Sequence, residues 1–234
     1  MPPQLYYITD RRQFTGNHRE QEQRLLEKIA ECAAAGVDLV QLREKDLGAG
    51  ALEELALKAM AALAESRARL LINARTDVAL ACGAHGVHLP ASDLAASDVR
   101  PIFARAGVSA PVIGVSTHSA AEVASAEAHG ADFAVFGPVF EKSGTEKSGT
   151  EKSGTASREG LEELLRICHR TEAAQPPMPV LALGGITLEN APLCAAAGAA
   201  GIAAIRLFQQ NDVLAIVKKL REVFSAGNPS GGRP

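Results

Sequence analysis

Short β-rich runs alternate with helix-forming stretches along this chain, and the alternation is strict enough to decide the fold class. The pattern predicts eight strands: Leu5–Thr9, Val37–Arg43, Arg69–Asn73, Gly86–Leu89, Pro111–Ser116, Asp132–Gly137, Pro179–Gly184 and Gly201–Ile205. It predicts eight helices: Arg19–Ala35, Ala51–Ser66, Thr76–Cys82, Ala96–Ala106 (with Pro101 in its first turns), Ser119–His129, Arg158–Thr171, Leu188–Ala197 and Asp212–Ser225. Leu25, Leu26, Ile29 and Cys32 recur near a helical period in the first of these. Gly36 stands directly after it, where a left-handed residue ends a helix. Strands such as VLAL and VIGV are apolar throughout, as in a parallel sheet covered outside by helices. Eight such repeats fit a single-domain α/β fold, a closed (β/α)8 TIM barrel over residues 1–226. An open doubly wound sheet usually carries a G-x-G-x-x-G turn after its first strand. Here that strand runs into Thr9-Asp10-Arg11.

Two segments stand outside the pattern. Residues 141–155 read EKSGT three times, polar and without an apolar face, and residues 227–234 are rich in Gly, Pro and Ser. The first is expected to be a flexible loop, either a tolerated expansion or a lid carrying Lys142, Lys147 and Lys152 towards a phosphate. The second is expected to be a disordered tail.

With 47% hydrophobic residues the chain has material for a core, which excludes a mainly disordered protein. A net charge of −3, from 24 basic and 27 acidic residues, gives no basis for a nucleic-acid or membrane-surface partner. No apolar run reaches the ~18 residues of a membrane span, and no signal-type start is present. A cytoplasmic protein is expected. Cys32, Cys82, Cys168 and Cys194 form no C-x-x-C pair and are expected to be buried thiols. Apolar outer helices would allow a homo-oligomer.

In a barrel of this kind the site is built where strands end and loops begin. The second strand ends Gln41-Leu42-Arg43-Glu44-Lys45. Alternation turns Gln41, Arg43 and Lys45 to one side, into the mouth. An Arg and a Lys there need an anion, either a phosphate or the internal carboxylates Glu44 and Asp46. Asn73 ends the third strand and suits an aminopyrimidine edge, a phosphate oxygen or a helix cap. Asp93 follows the fourth strand as a hard oxygen ligand for Mg²⁺ or a helix cap. His88, on that strand, reads as a core or rim histidine. Ser116 and His118 share a side, yet no Asp is placed to orient His118, so nucleophilic Ser–His chemistry has little support. Gly184 and Gly185 expose backbone N–H groups and, with a helix starting near Thr187 and with Arg206 after the last strand, form a seat for a phosphorylated small molecule.

These motifs resemble the thiamine phosphate synthase/thiazole tautomerase family. The resemblance runs through YYITDR (6–11), VQLREKDL (40–47), LLINARTDVALACGAHGVHLPASDL (70–94), IGVSTHS (113–119), ADFAVFGPVFE (131–141), PVLALGGITLENA (179–191) and AGAAGIAAI (197–205). The resemblance implies a (β/α)8 barrel in which a hydroxymethylpyrimidine diphosphate loses pyrophosphate and is captured by the nitrogen of a thiazole phosphate. It implies that Gln41, Arg43, Lys45 and Asn73 hold the pyrimidine diphosphate and that Ser116 touches the diphosphate. Asp93 would ligate Mg²⁺, and Gly185 with Ile205 and Arg206 at the end of strand eight would hold the thiazole phosphate. Arg43, Lys45 and Ser116 are the groups expected at the reacting bonds.

Three positions depart from the synthase pattern. Ala74 stands where synthases carry a second metal-ligand Asp, Lys142-Ser143-Gly144-Thr145 replaces a T-x-T-K run, and Arg206 replaces a Ser. Leu89-Pro90 resembles the tautomerase branch, but Pro138 stands where that branch carries a catalytic His, leaving His118 or His88 for acid–base work. A tautomerase acting on the thiazole carboxylate phosphate and a non-catalytic binder of a thiamine precursor are the alternative readings.

Overall fold

A computed structural model of the chain describes residues 3–140, 158–170 and 177–226. The EKSGT repeats and the 227–234 tail, for which a loop and a disordered end were expected, lie outside the described residues. Eight parallel strands close into one barrel in sequence order. They are β1 (Gln4–Ile8), β2 (Leu39–Leu42), β3 (Arg69–Asn73), β4 (Gly86–Leu89), β5 (Val112–Thr117), β6 (Phe133–Phe136), β7 (Val180–Leu183) and β8 (Gly201–Ala204). The helices are α1 (His18–Ala35), α2 (Ala49–Leu63), α3 (Thr76–Ala81), α4 (Ala96–Arg105), α5 (Ala120–Ala128), α6 (Arg158–Cys168), α7 (Ala191–Ala196), α8 (Arg206–Gln209) and α9 (Val213–Ala226). The expected barrel is therefore present, with one α-helix more than expected among the described residues.

That extra helix, α8, is a four-residue turn between β8 and the last long helix. Phe208 holds it in the core with no exposed surface. Gln209 accepts from the Tyr7 hydroxyl at 3.0 Å and donates to the Asp10 carbonyl at 2.7 Å. Four residues carry no readable period, so nothing in the sequence marks this turn. The stretch expected to be helical from Leu188 differs as well. The helix begins only at Ala191. Asn190 Oδ1 accepts from the Thr187 N–H at 2.8 Å and Thr187 Oγ1 accepts from the Asn190 N–H at 3.3 Å, so side chains close a turn there first.

Strand register separates two apolar layers. Leu5, Tyr7, Val40, Leu42, Leu70 and Ile72 belong to the large core between sheet and helices. Tyr6, Ile8, Leu39, Leu71, Phe133, Val135, Leu181 and Ala203 form a second cluster inside the barrel. Paired residues on neighbouring parallel strands share a face. The pairs Ile8↔Gln41, Asn73↔His88, His88↔Gly114 and Ser116↔Val135 therefore place Gln41, Asn73, His88 and Ser116 on the inner face with that cluster. Gly114 is needed there: a Cβ at this position would meet Phe133 Cζ at 2.3 Å.

Cys32, Cys82 and Cys194 are buried and Cys168 is half-buried, all as free thiols. Burial pushes Cys32 and Cys194 up to about 12, which keeps them as inert protonated thiols. No helix among the described residues is long and apolar enough to cross a membrane.

Candidate active site

The inner face at the carboxyl ends of the strands has two unlike halves. On β2 to β5 it is polar. Gln41 is 2% exposed, and its amide Nε2 donates to Asn73 Oδ1 at 3.2 Å. His88 is equally buried and bridges two hydroxyls: Nε2 meets Ser116 Oγ at 2.8 Å and Nδ1 meets the Tyr6 hydroxyl at 3.2 Å. Burial, with the nearby Arg43 charge as the lesser cause, pushes the His88 imidazole down to about 3. The ring is therefore neutral at physiological pH. On β7 and β8 the half is apolar, with Leu183 and Ile205 packed against the interior cluster.

Ser116 therefore meets His88 and not His118, although the sequence placed Ser116 and His118 on one side. His118 leaves the strand, becomes exposed and donates from Nδ1 to the Gly137 carbonyl at 2.6 Å. Tyr6 carried no functional reading in the sequence. The alternation Gln4, Tyr6, Ile8 on β1 was the available signal, since it aims Tyr6 into the barrel.

Arg43 is half-buried and Lys45 exposed. The carboxylates considered as their internal partners are taken by another cation. Arg11, 4% exposed, donates to Glu44 Oε2 at 2.9 Å and grips both oxygens of Asp46 at 2.8 and 2.7 Å. Thr9 Oγ1 donates to Glu44 Oε1 at 2.6 Å and accepts from the Arg43 N–H at 2.9 Å. Burial raises the Glu44 carboxyl against these hydrogen bonds, while Arg11 lowers Asp46. Among the described residues Arg43 and Lys45 form no ion pair, which leaves both cations for an anion at the mouth.

Gly184 and Gly185 both take positive φ, 99° and 61°. A Cβ on Gly184 would meet Pro138 Cα at 2.8 Å, so this turn closes only with glycine. The carbonyl of Gly184 accepts from the Phe140 N–H and that of Gly185 from Asn190 Nδ2. Among the described residues no acceptor meets the Gly185 N–H. The helix start expected near Thr187 does not add to this seat, because the Thr187 N–H is already bonded to Asn190. Ile205 is half-buried, and the exposed Arg206 opens α8 beside it.

Asp93 is exposed in the loop after β4, where Oδ1 accepts from the Leu94 N–H at 2.8 Å. Ala74 follows Asn73 with φ at 59°, and its N–H donates to the His88 carbonyl at 2.9 Å. Among the described residues no three His, Cys, Asp or Glu side chains gather as a metal-binding group. One carboxylate and a diphosphate are still a donor set that Mg²⁺ accepts. Among the described residues, Asp93 thus fits a hard cation that takes most of its oxygen ligands from elsewhere.

A closed barrel with neutral hydrogen-bonding side chains at its carboxyl mouth, and with two cations there that are unpaired among the described residues, has the architecture of the (β/α)8-barrel enzymes, whose sites lie at that face. The thiamine monophosphate synthase family model matches residues 5–208. The chain is 34% identical over 219 residues to a thiamine-phosphate synthase of Methanoregula boonei, covering 93% of this chain and 91% of that one. It is 33% identical over 221 residues to the thiamine-phosphate synthase of Syntrophomonas wolfei, covering 94% and 95%. A solved thiamine phosphate pyrophosphorylase from Pyrococcus furiosus superposes with a TM-score of 0.73 at 28% identity, covering 96% of both chains. The chain belongs to the thiamine monophosphate synthase family and is an enzyme of the transferase class.

Proposed function

We propose that this enzyme joins hydroxymethylpyrimidine diphosphate to a thiazole phosphate, giving thiamine phosphate and pyrophosphate. The observation that carries the reading is the Gln41–Asn73 amide pair on the polar half of the mouth. Because Gln41 donates to Asn73 Oδ1, Gln41 Oε1 and Asn73 Nδ2 remain as one acceptor and one donor. That pairing suits an aminopyrimidine, whose amine donates and whose ring nitrogen accepts. Arg43, Lys45 and Ser116 then face the diphosphate.

In the reaction the bond from the pyrimidine methylene to the diphosphate oxygen breaks, and its electrons leave with pyrophosphate. The thiazole nitrogen supplies the pair for the new C–N bond. Negative charge grows on the departing oxygen, where Arg43 and Lys45 lower the barrier most. Mg²⁺ carried by the diphosphate would meet Asp93 and neutralise part of that charge. The Gly185 N–H and Arg206 bind the phosphate of the thiazole, with Ile205 against its ring, so the nucleophile is held in line.

The test is direct: purified enzyme with both substrates and Mg²⁺ is assayed for thiamine phosphate. Product above background is expected, and its absence overturns the reading. A tautomerase is the second reading, because His118 is held against Gly137, next to Pro138, the position where the resemblance to that branch would put its catalytic histidine. Exchange of the thiazole carboxylate phosphate in metal-free buffer, abolished by His118→Ala, would support it.

A further inference from the structure

We propose that Tyr6 and His88 are positioning residues that fix the direction of the Ser116 hydroxyl, so that Ser116 donates its proton to an anionic substrate oxygen. The inference rests on the synthase reading for the identity of that oxygen, but its geometry stands on three side chains alone. Tyr6 has no exposed surface, and among the described residues its hydroxyl meets only His88 Nδ1. A buried O–H group needs an acceptor. Tyr6 therefore donates, and Nδ1 is the unprotonated nitrogen. A neutral imidazole then carries its single proton on Nε2. That N–H donates to Ser116 Oγ at 2.8 Å.

The consequence falls on Ser116. One lone pair of its oxygen is occupied from below, so its own proton is left to point to the half-open side of the residue, the mouth. The opposite polarity would strand the Tyr6 proton and turn the Ser116 lone pairs towards a phosphate oxygen, which repels them. The imidazole is also fixed in place. Its centroid lies 5.7 Å from the Tyr6 ring and 6.1 Å from Phe133, and Phe133 occupies the space that Gly114 leaves. Burial keeps the ring uncharged, so the polarity does not change through the physiological pH range.

The experiment has two arms. The first uses the wild-type protein labelled with ring-¹⁵N histidine, with the His88 resonances identified by their loss in His88→Gln. The expected spectrum shows protonated Nε2 and hydrogen-bonded, unprotonated Nδ1 from pH 8 to pH 5. A proton on Nδ1, or a charged ring at pH 7, overturns the proposal. This arm needs no turnover, so its failure is distinct from failure of the synthase reading. The second arm compares Tyr6→Phe in the wild-type and Ser116→Ala backgrounds, reading KM for the pyrimidine diphosphate separately from kcat. Loss of the lock should raise KM about tenfold where Ser116 is present and less than about twofold where it is absent. An equal factor in both backgrounds would mean that Tyr6 acts only on the fold.

Discussion

The Gln41 amide donates to Asn73 Oδ1 at 3.2 Å, and that one bond fixes the facing of two amides at the barrel mouth. Asn73→Asp tests what the facing is for. The carboxylate still accepts from Gln41 but has no proton to give. KM for the pyrimidine diphosphate should rise at least about tenfold, as for a lost hydrogen bond inside a binding site. KM for the thiazole phosphate should stay within twofold. Steady-state kinetics with each substrate varied in turn checks the split.

Ala74 holds a backbone conformation that costs a residue with a Cβ roughly 1 kcal/mol or more. Asp and Asn tolerate it better than Ala does. Ala74→Asp should therefore fold at least as stably and place a carboxylate next to Asn73. The Mg²⁺ concentration for half-maximal rate should fall several-fold. Ala74→Gly relaxes the same backbone without a ligand, and it should leave the Mg²⁺ requirement unchanged in the same titration.

Arg11 is the cation that balances Glu44, and Glu44 is almost fully enclosed. Arg11→Ala leaves that carboxylate buried without its partner, a change that typically costs about 3–5 kcal/mol. The loss should depend on pH in a definite sense. Burial holds the folded-state Glu44 carboxyl above its usual range, and removing Arg11 raises it further. Such a group favours folding when protonated and loses that contribution as pH rises. Urea unfolding should show a larger deficit at pH 7.5 than at pH 5. Asp46, which Arg11 lowers, works in the other direction in the wild type: its contribution is present above the usual carboxylate range and fades in acid.

The two glycines and Arg206 should govern the other substrate. Arg206→Ala removes an exposed cation, so KM for the thiazole phosphate should rise about tenfold, less so at high salt. Gly184→Ala forces a Cβ against Pro138 at a positive φ, and it should raise the same KM with about 1–3 kcal/mol of destabilisation. Thermal melts beside the kinetics separate the two effects.

Much of the barrel was legible because its signals are local. β3 and β4 fall on the residues that alternation and flanking turns mark, and α1 ends at Gly36, which takes φ at 92°. Local signals also named the mouth residues, since strand ends are read from strand positions. Partnerships were not legible. Glu44 pairs with Arg11, 33 residues earlier, and not with the cations beside it in sequence. His88 reaches Tyr6 across 82 residues and Ser116 across 28. No periodicity encodes such contacts, because closure of the sheet creates them. The turn at Thr187–Asn190 is hidden for another reason. Leu188 and Ala191 fit a helical period, but two side-chain hydrogen bonds to the backbone win over it.

The pairing of β1 with β8 has a consequence for how the enzyme is made. Of the eight barrel strands β1 is translated before the others, yet one of its two neighbours, β8, is translated after them. Arg221, in α9, donates to the Pro3 and Gly36 carbonyls and holds Asp38, which in turn accepts from the Leu5 N–H at 2.7 Å. A chain stopped before α9 therefore leaves β1 without that tether, and one stopped before β8 leaves both β1 and β7 with an open edge for other chains to pair with. Premature termination before α9 should therefore yield an aggregation-prone product and not a weaker enzyme.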